Sequence, residues 1–261
     1  MRPAISEFSY GYAVTESLIR DSAGSITEAP RFPSLRDEGK SEGYDLFLPL
    51  AGFPLYVQFK VCDYMRGDPR AREVRAGCFT GPFFRMHLRS RKRSTQHDLL
   101  LAWERKGNAV FYVGSALPSL GHFNQAYRTG TVLTKSAYFQ PVAIGDIRDD
   151  DEHHVAFAPP LTGFVLCSQP KPFHTSVDYA AFQRDLATRL DLSQRSLEAH
   201  LRRDRNFLRE LIFQGTLFAQ QDRDHLDQLL DELHDDAARV TYMAQTYLGC
   251  AVFFVARRQR R

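Results

Sequence analysis

The sequence predicts an α/β fold, a mixed β-sheet flanked by helices with a mainly helical C-terminal subdomain. Three observations carry this reading. Residues 43–61 form an apolar stretch of aromatic and branched side chains, the composition of paired strands. Segments of strand and helix character then alternate as far as residue 158, which implies a sheet covered by helices. Beyond Gln169-Pro170-Lys171-Pro172 the pattern becomes helical. The expected division is an α/β core over 1–165 and a helical subdomain over 166–261.

The first element expected is a helix over 5–20, with Phe8, Tyr12, Thr15 and Ile19 at helical spacing on its apolar stripe. A loop rich in proline, glycine and charge covers 25–43. Next comes a hairpin, with Leu46–Leu50 as one strand and Leu55–Val61 as the other. Gly52-Phe53 has glycine first, as a two-residue type II′ turn requires. That turn pairs Asp45 with Lys60 and sets Gln58 on the same face, because side chains alternate with period two.

Residues 64–82 read as irregular and Phe83–Leu88 as a strand. Ser94 or Thr95 caps a helix over 98–106 that Gly107 closes. Ala109–Val113 is a continuous apolar run, typical of a buried strand. A helix over 119–127 and strands within 131–140 and 154–158 follow. Helices are expected over 179–190, 193–213 and 223–248, the last with a stripe of Leu226, Leu229, Leu230 and Leu233. Such a stripe packs on the chain's own core or meets a second copy or partner protein. Gly249–Val255 has the composition of a strand.

Net charge is only +3 over 261 residues, so the chain is no polycation. Its charges are segregated, however. Residues 85–93 hold five arginines and lysines, while acid gathers at 146–152 and 222–236. Arg89, Arg91, Lys92, Arg93 and Gln96 are therefore candidate contacts to a nucleic-acid backbone, Gln96 because it opens a helix. The alternative is a solvated basic loop. The four cysteines have neither zinc-ligand spacing nor a disulfide pattern. There is no signal-peptide pattern and no run long enough to span a bilayer. A reduced, cytoplasmic protein without membrane association is the expectation. Walker and Gly-x-Ser-x-Gly motifs are absent from the sequence.

Gly43-Tyr44-Asp45 followed by Gln58-Phe59-Lys60, after an acidic first helix, resembles the PD-(D/E)XK nuclease superfamily. The similarity is to its Mrr-like branch with Gln-x-Lys, and it covers roughly residues 5–115. The resemblance implies a restriction-endonuclease-like fold, hydrolysis of DNA phosphodiesters with Mg²⁺ or Mn²⁺, a role in defence against foreign DNA, and frequent dimerisation. It assigns Glu16, with Glu7 as a nearby competitor, to the helix glutamate. It assigns Asp45 to the metal-binding aspartate, Gln58 to the acidic position and Lys60 to the lysine. Asp45, Gln58 and Glu16 would hold the metal through oxygen, and Lys60 would act on the attacking water or the phosphate. Two other readings stay open. Asp45 and Lys60 also suit a plain cross-strand ion pair, and the amide at Gln58 suits a catalytically inactive module that binds nucleic acid or a partner.

Overall fold

In the computed structural model the described residues are 3–22, 26, 52–90, 92–147, 149–167, 170–193, 195–215 and 220–256. Their strands are β1 (Gly52–Lys60), β2 (Asp63–Met65), β3 (Phe83–Leu88), β4 (Ala109–Ser115), β5 (Ser136–Phe139), β6 (His153–Phe157), β7 (Phe164–Cys167), β8 (Lys171–Phe173) and β9 (Ala251–Ala256). Their helices are α1 (Glu7–Asp21), α2 (Arg72–Arg75), α3 (Gln96–Arg105), α4 (Leu120–Arg128), α5 (Pro141–Ile144), α6 (Tyr179–Leu192), α7 (Leu197–Gly215), α8 (Gln220–Glu232) and α9 (Asp236–Met243). The fold is mixed α/β, as expected.

Two sheets organise it. One runs β5-β4-β1-β9, and in it β1 is parallel to β4 and antiparallel to β9. The other runs β2-β3-β6-β7-β8 and is antiparallel throughout. Strand β1 alternates between two cores. Leu55 and Val57 pack with Tyr10, Val14 and Leu18 of α1, with Phe123 of α4 and with Phe182 of α6. Tyr56 points the other way, to Trp103 of α3, Leu208 of α7 and the inner face of the second sheet (Phe84, Met86, Phe157). The buried hydroxyl of Tyr56 donates to Asp204 Oδ2 at 2.9 Å, and Arg203 holds Asp204 Oδ1 at 2.8 Å, fastening α7 to β1.

The expected hairpin is overturned in part. Gly52 and Phe53 are not a turn: they lie inside β1, opposite Ala256 and Val255. Leu55–Val57 has β4 on one edge and β9 on the other, so no strand from 46–50 can pair there. Residues 46–50 themselves lie outside the described residues, as does Asp45. Local turn chemistry pointed to a sharp reversal. A glycine is needed here for a different reason: a Cβ at residue 52 would be driven into the Val255 carbonyl oxygen. Gly52→Ala is accordingly expected to destabilise the protein by about 1–3 kcal/mol in urea unfolding, the usual cost of overpacking a strand pair. An unchanged midpoint would contradict the β1–β9 register.

Helix α1 also turns a different face inward. Tyr10, Ala13, Val14 and Leu18 are buried, whereas Phe8 is 76% exposed and Tyr12 53%. The cause is close approach to the sheet. A Cβ on Gly11 would come within 2.7 Å of the Phe59 ring, so the side bearing Gly11, Val14 and Leu18 is the one that fits. Aromatic residues on both sides of the helix made its period ambiguous.

The expected helix over 223–248 is two helices and a π-helical turn over Ala244–Leu248. Asp235 interrupts it because its carboxylate accepts from Ala238 N at 2.6 Å and caps α9. Leu226 and Leu230 are buried in the core, so this part of the stripe is intramolecular. The boundary expected at residue 165 falls inside β7, and β9 completes the sheet begun by β1. All four cysteines are free. Among the described residues no helix is long and apolar enough to cross a membrane.

Candidate functional site

Strand β1 outruns its neighbour. The β9 ladder stops at Val57–Ala251, leaving the edge of Gln58–Lys60 without a ladder partner from β9. Just before β9, Gly249 adopts φ +68 and reverses the chain out of the π-helical turn. Only glycine suits that place, in conformation and in space. A Cβ there would sit 2.5 Å from Gln96 Nε2 and 3.3 Å from Gln58 Nε2. The two glutamine amides therefore converge over this turn. Gln96 is fixed by donating from Nε2 to the Leu248 carbonyl at 2.8 Å. Gln58 is 6% exposed, and its Oε1 is buried with no hydrogen-bond partner among the described residues.

Lys60 lies two residues along the same face of β1. Burial pulls its ammonium below the usual lysine range; Glu7 opposes the shift and Arg89 adds to it. Glu7, at the start of α1, thus reaches the end of β1. With Phe8, Gly11, Phe59, Gln245, Gly249 and Cys250 it lines a cavity of about 210 Å³. A larger cavity of about 490 Å³, bordered by Tyr64, Phe84, His122 and Lys135, contains none of these groups.

Of the residues proposed from sequence, Gln58 and Gln96 converge at the Gly249 turn, Lys60 lies two residues along from Gln58, and Arg89 acts on Lys60 through its charge. Glu16 lies apart from them. It sits toward the far end of α1, where its carboxylate accepts from the Tyr127 hydroxyl and pairs with Arg20. Helix α1 also packs on the Phe59 side of β1, opposite Gln58 and Lys60. Of the two candidate acids on α1, Glu7 is the one whose charge acts on Lys60. The signal was present in the sequence as the rival carboxylate, but the misassigned helix face favoured Glu16. Asp45 and Arg91 lie outside the described residues. Lys92 and Arg93 point to acidic partners, Asp150 at 3.5 Å and Glu152 at 3.1 Å. Gly249 and Cys250 carried no signal, because only the fold brings them beside residue 58.

Glu7 carries a carboxylate and Gln58 an amide oxygen, donors of the kind Mg²⁺ takes, but Glu7 borders the cavity on the Phe59 side and Gln58 is not among that cavity's lining residues. A different group has metal-ligand spacing. Glu73, His154 and Cys167 place ligand-type atoms within 4.8 Å of one another on the outer face of the second sheet. Its carboxylate is already engaged. Arg85 donates to both oxygens of Glu73 at 2.6 Å, and His154 Nε2 donates to Oε1 at 2.6 Å. Burial pushes the Glu73 carboxyl up, but these hydrogen bonds outweigh it and hold it at about 2.

Compared with protein-family models, curated proteins and solved structures, the chain matches none of them.

Proposed function

We propose that the end of β1 is the active site of a metal-dependent nuclease with a restriction-endonuclease-like core, hydrolysing DNA phosphodiesters. The observation that carries the reading is the buried Gln58 amide two residues from a desolvated lysine on the same face of β1, with the charge of Glu7 acting on that lysine. On the family resemblance, Gln58, Asp45 and the helix acid Glu7 would hold Mg²⁺ or Mn²⁺ through oxygen. Such a cation, when bound, polarises a phosphate and acidifies a water.

The chain's own groups have definable tasks. Lys60, as an ammonium in a partly water-excluded setting, stabilises negative charge developing on the phosphate oxygens. Gln96, at the start of α3 and locked by the Leu248 carbonyl, would present its amide beside the Gly249 turn that Gln58 also approaches. Arg89, exposed beside Lys60, meets the phosphate on the flanking nucleotide. The amide at residue 58 favours a second reading, a non-catalytic nucleic-acid-binding module, because it supplies less charge than a carboxylate would.

Titrating Mg²⁺ and Mn²⁺ against supercoiled plasmid separates the two. The expected result is cation-dependent nicking or linearisation that Glu7→Gln lowers at least about tenfold, as loss of one metal-ligand charge implies. Salt-sensitive DNA binding without cleavage in any cation would establish the module instead.

A further inference from the structure

The β3–β6 register sets Leu88 opposite His153. The loop that leaves β3 and the loop that enters β6 therefore emerge side by side from one end of the second sheet. The first is basic, with Arg89, Lys92 and Arg93; the second holds Asp149, Asp150, Asp151 and Glu152. Arg148, which also belongs to this loop, lies outside the described residues. Two ion pairs bridge the loops, Lys92–Asp150 at 3.5 Å and Arg93–Glu152 at 3.1 Å, and all four side chains are more than half exposed. The acidic loop is anchored behind: Asp149 is bonded by the buried His153 at 2.6 Å, and Asp146 by Arg105 at 2.8 Å. The basic loop opens with Arg89, whose charge acts on Lys60, and leads into α3 at Gln96, whose amide lies at the Gly249 turn near Gln58.

We infer that the acidic segment is a built-in competitor for the basic loop, and that a phosphodiester backbone docks there by displacing it. Exposed ion pairs contribute only about 0–1 kcal/mol each and are screened by salt, so the bridge opens readily. A nucleic-acid strand offers a row of phosphates and releases condensed counterions on binding, which two isolated carboxylates do not. The segment thus raises the threshold for weak or short polyanions and yields to long ones. The inference rests on the nuclease reading only for what happens to a strand once docked.

The test uses the full chain in EDTA, so that nothing is cut. Asp150→Asn/Glu152→Gln is compared with wild type and with a charge-matched control on the exposed surface of α8, Asp231→Asn/Glu232→Gln. Binding of a short fluorescent DNA duplex is measured by anisotropy between roughly 50 and 200 mM NaCl. The bridge variant is expected to bind about tenfold tighter at the low end, with a log–log salt slope steeper by about 1–2, the signature of two freed phosphate contacts. The control should shift by less than about twofold. The gain should vanish when Lys92 and Arg93 are already alanine. Equal tightening by both carboxylate variants, or a gain that survives without Lys92 and Arg93, overturns the inference. Heparin chromatography decides if no protein binds the duplex. Later elution of the bridge variant than of the control then upholds the shielding and removes the nucleic-acid reading; co-elution overturns the shielding.

Discussion

Lys60→Ala is expected to lower cation-dependent DNA cleavage by about 10²–10³-fold, the effect of deleting one preorganised charge from a site where phosphate charge develops. The lysine is half-buried at a strand end, so its loss should barely move the urea midpoint. Activity and stability are thereby separable. Lys60→Arg should not restore the rate, because a planar guanidinium does not replace a compact ammonium in a desolvated corner. The pH profile carries a second signature. Burial lowers the Lys60 pKa, and the proposed role calls for the charged form. Cleavage should therefore fall as pH rises through a value below that of a free lysine, and stay intact at lower pH as far as this group is concerned. Plasmid nicking assays across pH measure both effects. A Lys60→Ala protein that cuts as fast as wild type removes β1 from the chemistry.

The largest effect on stability is expected at Glu73. Its side chain is fully buried, fixing α2 against the outer face of the second sheet through Arg85 and His154. Glu73→Ala leaves the Arg85 guanidinium partly buried without its counter-charge, and loss of about 3–5 kcal/mol is expected in urea unfolding at neutral pH. That is a large part of the 5–15 kcal/mol or so that holds a domain folded. Replacing Glu73 and Arg85 together by leucine and methionine should cost less than Glu73→Ala alone, since no unpaired charge remains. The pH dependence has a definite sign. The folded Glu73 pKa, about 2, is below the ordinary value of 4.5, so its contribution is complete above 4.5 and disappears as pH falls toward 2. His154 acts in the same direction. Burial lowers its pKa from 6.5, so protonating it at falling pH also works against the folded state. Urea midpoints measured from pH 7 to pH 3 should decline accordingly, and Glu73→Gln should flatten the lower part of the curve.

Much of the fold was legible because local pattern and tertiary role agree. The apolar run at 109–113 is β4, buried on both faces; Phe83–Leu88 is β3; and the helix expected over 98–106 is α3, which begins slightly earlier at Gln96. The alternation of Tyr56, Gln58 and Lys60 also held, since a strand's side chains keep period two whatever its neighbours are. Pairing was not legible. Both edges of β1 are apolar, and nothing near residue 52 signals that the partner lies at 251–256. A glycine preceding an aromatic has the same appearance in a tight turn as in a strand crowded by another backbone. The helix acid failed for a related reason. Phe8, Tyr12 and Ile19 have the spacing of a core stripe, but Gly11 sets how near α1 approaches the sheet and so which side faces it. The Glu73 network left no mark in sequence, its members being scattered over 73–167.

Among the named strand pairs, β1 with β9 joins the segments farthest apart along the chain. On the ribosome, Gln58 and Gln96 are made long before Gly249, the turn over which they meet. A nascent chain consequently carries Gln58 on a strand whose second neighbour does not yet exist, without the turn over which the two amides converge. Completion of this sheet therefore waits for residues 251–256, and a chain cut off before them would leave one edge of β1 open, a template for pairing with another chain.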